Sequence, residues 1–149
     1  MMSYMFYAPT RVLFGAGQLN KLHEQAMPGK KAMLVISNGK STRMSGALDR
    51  TTEQLRAAGV DVALFDKVGA NPLKSTVEEG ADFARSNGCD FVVALGGGSV
   101  MDAAKVMAMY APQPGDLWDY VPGATGKMQP LVNSVLPWIA ITTTAGTGS

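Results

Sequence analysis

Apolar residues gather into four short runs along the chain: residues 32–36, 62–65, 91–95 and 136–141. Each is continuous rather than alternating, which is the pattern of parallel strands covered on both faces. A shorter apolar stretch at residues 12–14 predicts one more strand. Between the runs the apolar residues recur with a helical period of about 3.6. Met44, Leu48, Leu55 and Ala58 share a face and predict a helix over 44–58. Val100, Ala103, Ala104 and Met107 do the same over 100–110, and a shorter helix is expected over 19–26. Residues 75–87 form another helix-period segment. It opens with Ser75-Thr76-Val77-Glu78, the spacing of a capping box in which Ser and Glu each satisfy an orphan backbone N–H. Gly59 and Gly88 follow the ends of two of these helices and stand directly before strands, where a left-handed glycine ends a helix.

Alternating strands and helices predict an α/β fold: a doubly wound, mainly parallel Rossmann-like sheet with helices on both faces and right-handed crossovers. Residues 112–137 break the rhythm. Their prolines, glycines and isolated aromatics predict a long irregular connection, uncommon unless it is functional or contains short helices.

Composition narrows the classes. A length of 149 residues with 46% apolar and 17% charged residues suits one packed domain and excludes a disordered segment. The net charge of +1 is interspersed, so no basic stripe points to nucleic acid and no basic amphipathic helix to a membrane surface. Met1 to Pro9 is apolar but too short to span a bilayer and lacks a basic flank. The single cysteine, Cys89, excludes an internal disulfide; with no signal peptide, this predicts a cytoplasmic protein. The ten methionines read as adaptable core filling. The chain runs to Ser149 inside a glycine- and threonine-rich stretch that directly follows a strand, which predicts a fragment.

The strongest chemical pattern is Leu95-Gly96-Gly97-Gly98-Ser99-Val100-Met101-Asp102-Ala103-Ala104-Lys105. A buried strand ends, three glycines turn the chain, and a helix opens at Ser99. Bare glycine backbone lets a phosphate approach, and the helix N-terminus offers free N–H groups and the positive end of its dipole. The same residues could form only a tight turn with Ser99 as N-cap. The pattern is neither G-x-G-x-x-G nor a P-loop. Asp102 could reach back to the Ser99 N–H or contact a ligand at the mouth of the site; Lys105 is expected to pair with Asp102. Three further segments follow strand ends: Ser37 to Ser41, with Gly39 in its middle; Gly69-Ala70-Asn71-Pro72; and Thr142 to Thr147. In a parallel sheet these loops share one edge with the glycine turn, where ligands bind. Their convergence predicts a nucleotide site.

The run Gly96-Gly97-Gly98-Ser99-x-x-Asp102-x-Ala104-Lys105, the upstream Asn71-Pro72 and the terminal Thr143-Thr144-Ala145-Gly146-Thr147-Gly148-Ser149 together resemble the iron-containing alcohol dehydrogenases. The wider superfamily includes glycerol dehydrogenase and dehydroquinate synthase. The resemblance implies that residues 1–149 are a dinucleotide-binding domain for NAD or NADP. Gly97, Gly98 and Ser99 would hold the pyrophosphate, Thr143 and Thr147 would flank the adenine side with Thr144 between them, Asn71 would touch the adenosine ribose, and Asp102 would lie near the nicotinamide. It also implies a helical domain after residue 149 that holds Fe2+ through one aspartate and three histidines. The whole protein would then oxidise a small alcohol or diol, or reduce an aldehyde, with a homodimer as its expected assembly. The one histidine here, His23, reads as a surface or half-buried helix residue, so no metal site is expected within these residues. Two features depart from the family's pattern. Ser37 to Ser41 has no acid for a ribose 2′-OH; Lys40 and Ser41 could instead receive a 2′-phosphate, or serve as loop and helix cap. Thr142 stands where a proline commonly precedes the threonines, with little functional effect expected. Two rivals remain: a stand-alone nucleotide-binding or regulatory module, and a zinc-dependent polyol dehydrogenase of the glycerol type.

Overall fold

The computed structural model describes residues 3–144. Strands β1 (Lys31–Ser37), β2 (Asp61–Val68), β3 (Phe91–Gly96) and β4 (Trp138–Thr142) form one sheet in the order β2-β1-β3-β4, and every pair is parallel. Helices α1 (Ser41–Met44), α2 (Ala47–Ala57), α3 (Lys74–Ser86) and α4 (Gly98–Tyr110) connect them, with 3-10 turns at Gln18–Glu24 and Leu117–Tyr120. The chain steps from β1 outward to β2, then crosses back past β1 to β3. Right-handed crossovers make such a reversal switch faces. Accordingly α2 packs on Ala32, Leu34, Ile36, Phe91, Val93 and Leu95. On the opposite face, α3 and α4 pack on Met33, Val35, Val92 and Ala94. The doubly wound expectation holds.

β1 and β3 are sandwiched and read as continuous apolar runs. β2 and β4 are the edges and only partly covered, so the expectation of four fully buried strands fails for these two; Trp138 is 38% exposed. Residues 12–14 form no strand among the described residues, where Phe14 is 94% exposed. The helix expected over 44–58 is two helices. Gly46 takes a left-handed conformation (φ 71°) between α1 and α2, and Met44 turns outward. The turn over Gln18–Glu24 is 3-10 rather than α, with Leu22 as its buried residue. No capping box forms at Ser75. The N-cap of α3 is Leu73, and Glu78 pairs with Lys74 at 2.9 Å. Gly59 (φ 75°) and Gly88 (φ 63°) do end their helices left-handed. No helix among the described residues is long and apolar enough to cross a membrane.

The irregular stretch 112–137 is held by polar side chains. Asp116 and Asp119 form a reciprocal cap on the 3-10 turn Leu117–Tyr120. The Trp118 N–H, and then Lys74, hold the Asp116 carboxyl below its usual range. Its contribution is therefore present at neutral pH and is lost as the pH falls through the carboxylate range.

At the opposite end of the sheet from the strand C-termini, Asp90 ties β3 to β1. Its two carboxylate oxygens accept from the N–H groups of Lys30 (2.8 Å) and Lys31 (2.9 Å). Gly29 is bare beside it, since a Cβ there would lie 2.3 Å from the carboxylate. Asp90→Ala removes two charge-assisted bonds at the start of the central strand and is expected to cost about 2 kcal/mol. Urea unfolding checks this: the midpoint should fall with an unchanged slope.

Candidate functional site

β3 runs into its glycine turn without a side chain in the way. Gly96 is the last strand residue, and a Cβ on it would meet Val100 Cγ2 at 2.7 Å, so the glycine lets α4 fold back tightly on the strand it follows. Gly97, extended at φ −92° and ψ −169°, is the N-cap of α4. Its carbonyl accepts from the N–H groups of Val100 (3.0 Å) and Met101 (3.1 Å). Among the described residues no side chain caps this helix. Its N-terminus presents backbone N–H groups and the positive dipole end to the sheet's C-terminal edge.

The helix begins at Gly98, so Ser99 lies inside the first turn and is not the N-cap that the sequence suggested. Asp102 does not close a capping box there. Its carboxylate is exposed and lies 3.7 Å from Lys105, as expected for an i,i+3 pair. The Lys105 ammonium also stands 5.7 Å over the Trp138 ring.

The threonine turn faces the glycine turn. Thr143 donates its backbone N–H to Gly96 O (2.9 Å), extending the β3–β4 ladder past the strand end. A Cβ on Gly97 would lie 3.2 Å from Thr144 Cγ2, which is tighter than ordinary contact. Thr144 is exposed beside this gap, and the sequence-predicted Thr147 lies outside the described residues.

β1 and β3 are adjacent, and the connections after them leave toward opposite faces. This is the switch point of a doubly wound sheet, where a crevice opens at the strand C-termini. Gly39, exposed after β1, lies on one side of it, and Gly97, Gly98 and Ser99 lie on the other. The β1 loop is tied to the end of β2 by Asn38 N–H donating to Val68 O (2.9 Å). Asn71 is exposed beyond β2, with a left-handed backbone (φ 52°) that asparagine tolerates. The fold thus draws Gly96, Gly97, Thr143 and Thr144 into direct contact range and sets Gly39 on the neighbouring strand end. Asn71 is placed farther along the same edge.

Sequence reasoning missed the part played by Thr142. Its hydroxyl donates to Thr144 O (2.7 Å) and accepts from Thr144 N–H (3.3 Å). The hint was its place directly before two further threonines, a setting for hydroxyl-to-backbone turns.

Other features lie away from this edge. An open groove of about 380 Å³ is lined by Leu48, Asp49, Thr52, Glu53, Arg56 and β2 residues on the α2 face, and holds none of the candidate residues. Burial pushes the Cys89 thiol above its usual range, which leaves it in the inert protonated form at neutral pH. Among the described residues no group of three or more His, Cys, Asp or Glu could hold a metal. His23 Nδ1 lies 2.6 Å from Gln54 Oε1.

Comparison with known proteins places this geometry. The sequence pattern of the family described as iron-containing alcohol dehydrogenase matches residues 9–149. The 1,3-propanediol dehydrogenase of Citrobacter freundii is 37% identical over 153 residues, covering 99% of this chain and 38% of that enzyme. The crystal structure of NADH-dependent butanol dehydrogenase A from Thermotoga maritima superposes with a TM-score of 0.86 at 30% identity, over 99% of this chain and 36% of that one. Sulfoacetaldehyde reductase from Bifidobacterium kashiwanohense, solved in complex with NAD+, matches with a TM-score of 0.82 at 31% identity, over 99% and 38%. The chain therefore spans well under half the length of each of these relatives.

Proposed function

The chain belongs to the iron-containing alcohol dehydrogenase family, and from that premise we propose that it is the dinucleotide-binding domain of a dehydrogenase for a small alcohol, diol or aldehyde. One observation carries the reading: the N-terminus of α4, which no side chain caps among the described residues, reached through a bare glycine turn at the switch point and faced by the threonine turn. Such a terminus suits a diphosphate. Relatives that include an NADH-dependent butanol dehydrogenase and a reductase solved in complex with NAD+ support the choice of a nicotinamide dinucleotide.

On this reading the backbone of Gly97, Gly98 and Ser99 binds the pyrophosphate. Gly39 and Asn71 line the adenosine ribose side, and Thr143, Thr144 and Thr147 flank the adenine. Asp102 stands near the nicotinamide. The nicotinamide, when bound, supplies or accepts the hydride. The residues described here bind and orient it through fixed backbone donors that need no rearrangement. They offer no donor set for iron, so the metal of the whole protein would be held outside residues 1–149, in the helical domain that the family resemblance implies.

The exposed Lys40 opens a choice between cofactors. It precedes α1, and no acid stands between Ser37 and Ser41 to repel a 2′-phosphate. We expect this chain to bind NADPH at least as tightly as NADH. Lys40→Asp should shift the preference toward NADH by about fivefold, the modest size reflecting solvent screening of an exposed contact. Fluorescence titration of the 149-residue chain and the variant with both reduced cofactors tests the reading. No binding of either cofactor overturns the dinucleotide site itself. An order-of-magnitude preference of the wild-type chain for NADH overturns only the part given to Lys40.

A further inference from the structure

We infer that Thr142 is a positioning residue for the cofactor edge, through a hydroxyl that fixes the threonine turn against the glycine turn; this rests on the dinucleotide-binding reading above. One oxygen, Thr142 Oγ1, meets both backbone groups of Thr144, donating to the carbonyl at 2.7 Å and accepting from the N–H at 3.3 Å. These are the side-chain bonds that the turn receives among the described residues. The backbone bond from Thr143 N–H to Gly96 O (2.9 Å) anchors the start of the turn to β3. The hydroxyl then sets the direction in which the next residue leaves. That direction puts Thr144 Cγ2 3.2 Å from the point where a Gly97 side chain would begin, closing the wall between the two turns.

The Thr142 side chain is exposed and belongs to neither core cluster, so its role is not to fill space. In the ladder Thr142 stands opposite Gly96, while Thr143 makes the bond to the Gly96 carbonyl. Loss of the hydroxyl therefore leaves the β3–β4 pairing intact. Here a hydroxyl restricts the backbone of the turn by hydrogen bonding. Little functional effect is the expectation from sequence at this position, and the valine variant decides between the two.

The test compares Thr142→Val, which keeps the branched shape and removes the hydroxyl, with Thr142→Ser, which keeps the hydroxyl. NADH affinity of the 149-residue chain and its urea unfolding are measured for both. Thr142→Val should weaken NADH binding about tenfold, Thr142→Ser should bind like the wild type, and both should unfold at the wild-type midpoint. Amide exchange at Thr144 should accelerate in the valine variant without nucleotide. Wild-type affinity in Thr142→Val overturns the inference, as does a loss of affinity that follows a loss of stability. If the wild-type chain binds no NADH, the dinucleotide reading fails and the role given to Thr142 falls with it; the failures are thus told apart by the wild-type titration.

Discussion

Gly97→Val is expected to eliminate measurable dinucleotide binding while leaving the sheet folded. Its backbone sits at φ −92° and ψ −169°, which valine adopts freely, so the substitution adds no strain to the turn. The obstruction is steric. A Cβ at this position already lies 3.2 Å from Thr144 Cγ2, and two further methyl carbons have to enter the space beside the first N–H groups of α4. A diphosphate at those N–H groups has to share that space, and its displacement at about 3 kcal/mol is roughly a hundredfold in affinity. Titration calorimetry with NADH, set beside circular dichroism of both proteins, measures the two halves of the statement. Undiminished affinity in the folded variant means that the dinucleotide binds elsewhere.

The second large effect lies far from that edge. Gln113→Leu is expected to destabilise the chain by about 3 kcal/mol. Gln113 is only 5% exposed and holds the long connection closed from inside. Its Oε1 accepts from the N–H groups of Val132 and Asn133, both at 2.9 Å, and its Nε2 donates to Asn133 O (2.7 Å) and Met109 O (3.2 Å). Leucine fills the same volume but leaves these part-buried backbone groups without the partner they had, and each orphaned group costs about 1–3 kcal/mol. Equilibrium urea unfolding reads the loss directly. A midpoint within error of the wild type means that the connection is held by its other contacts, such as Leu136 N–H to Ala108 O.

The sequence revealed most fully the elements whose burial is complete, while β2 and β4 were legible as strands but not as half-covered edges. β1 and β3 carry fully buried apolar runs because helices cover both faces of the sheet there, and α4 announced itself through Val100, Ala103, Ala104 and Met107. The glycine turn was legible for a related reason: three glycines between a buried strand and a helix have few other uses. Features that depend on partners distant in sequence were not legible. Ser75 and Glu78 match a capping box in spacing, but Leu73 is where the chain bends, and Lys74 takes the glutamate. The split at Gly46 was hidden because Met44 fits a helical stripe that the structure does not bury. Ser99 lost the cap position by one residue, since Gly98 already has helical geometry. Gln113 gave no sign of its role, because its partners lie about twenty residues downstream in a segment without periodicity.

The strand order carries a consequence for synthesis. β1 is made first, yet it stands in the interior of the sheet between β2 and β3. β2 follows after a helical connection, whereas β3, which pairs from Phe91 onward, is translated much later. Until then a growing chain displays one open side of Ala32, Met33, Leu34, Val35 and Ile36, five consecutive residues that are wholly buried in the finished fold. A bare edge of that kind templates pairing with other chains. A nascent or truncated chain ending before β3 is therefore the form of this protein most exposed to aggregation, and the arrival of β3 ends the hazard.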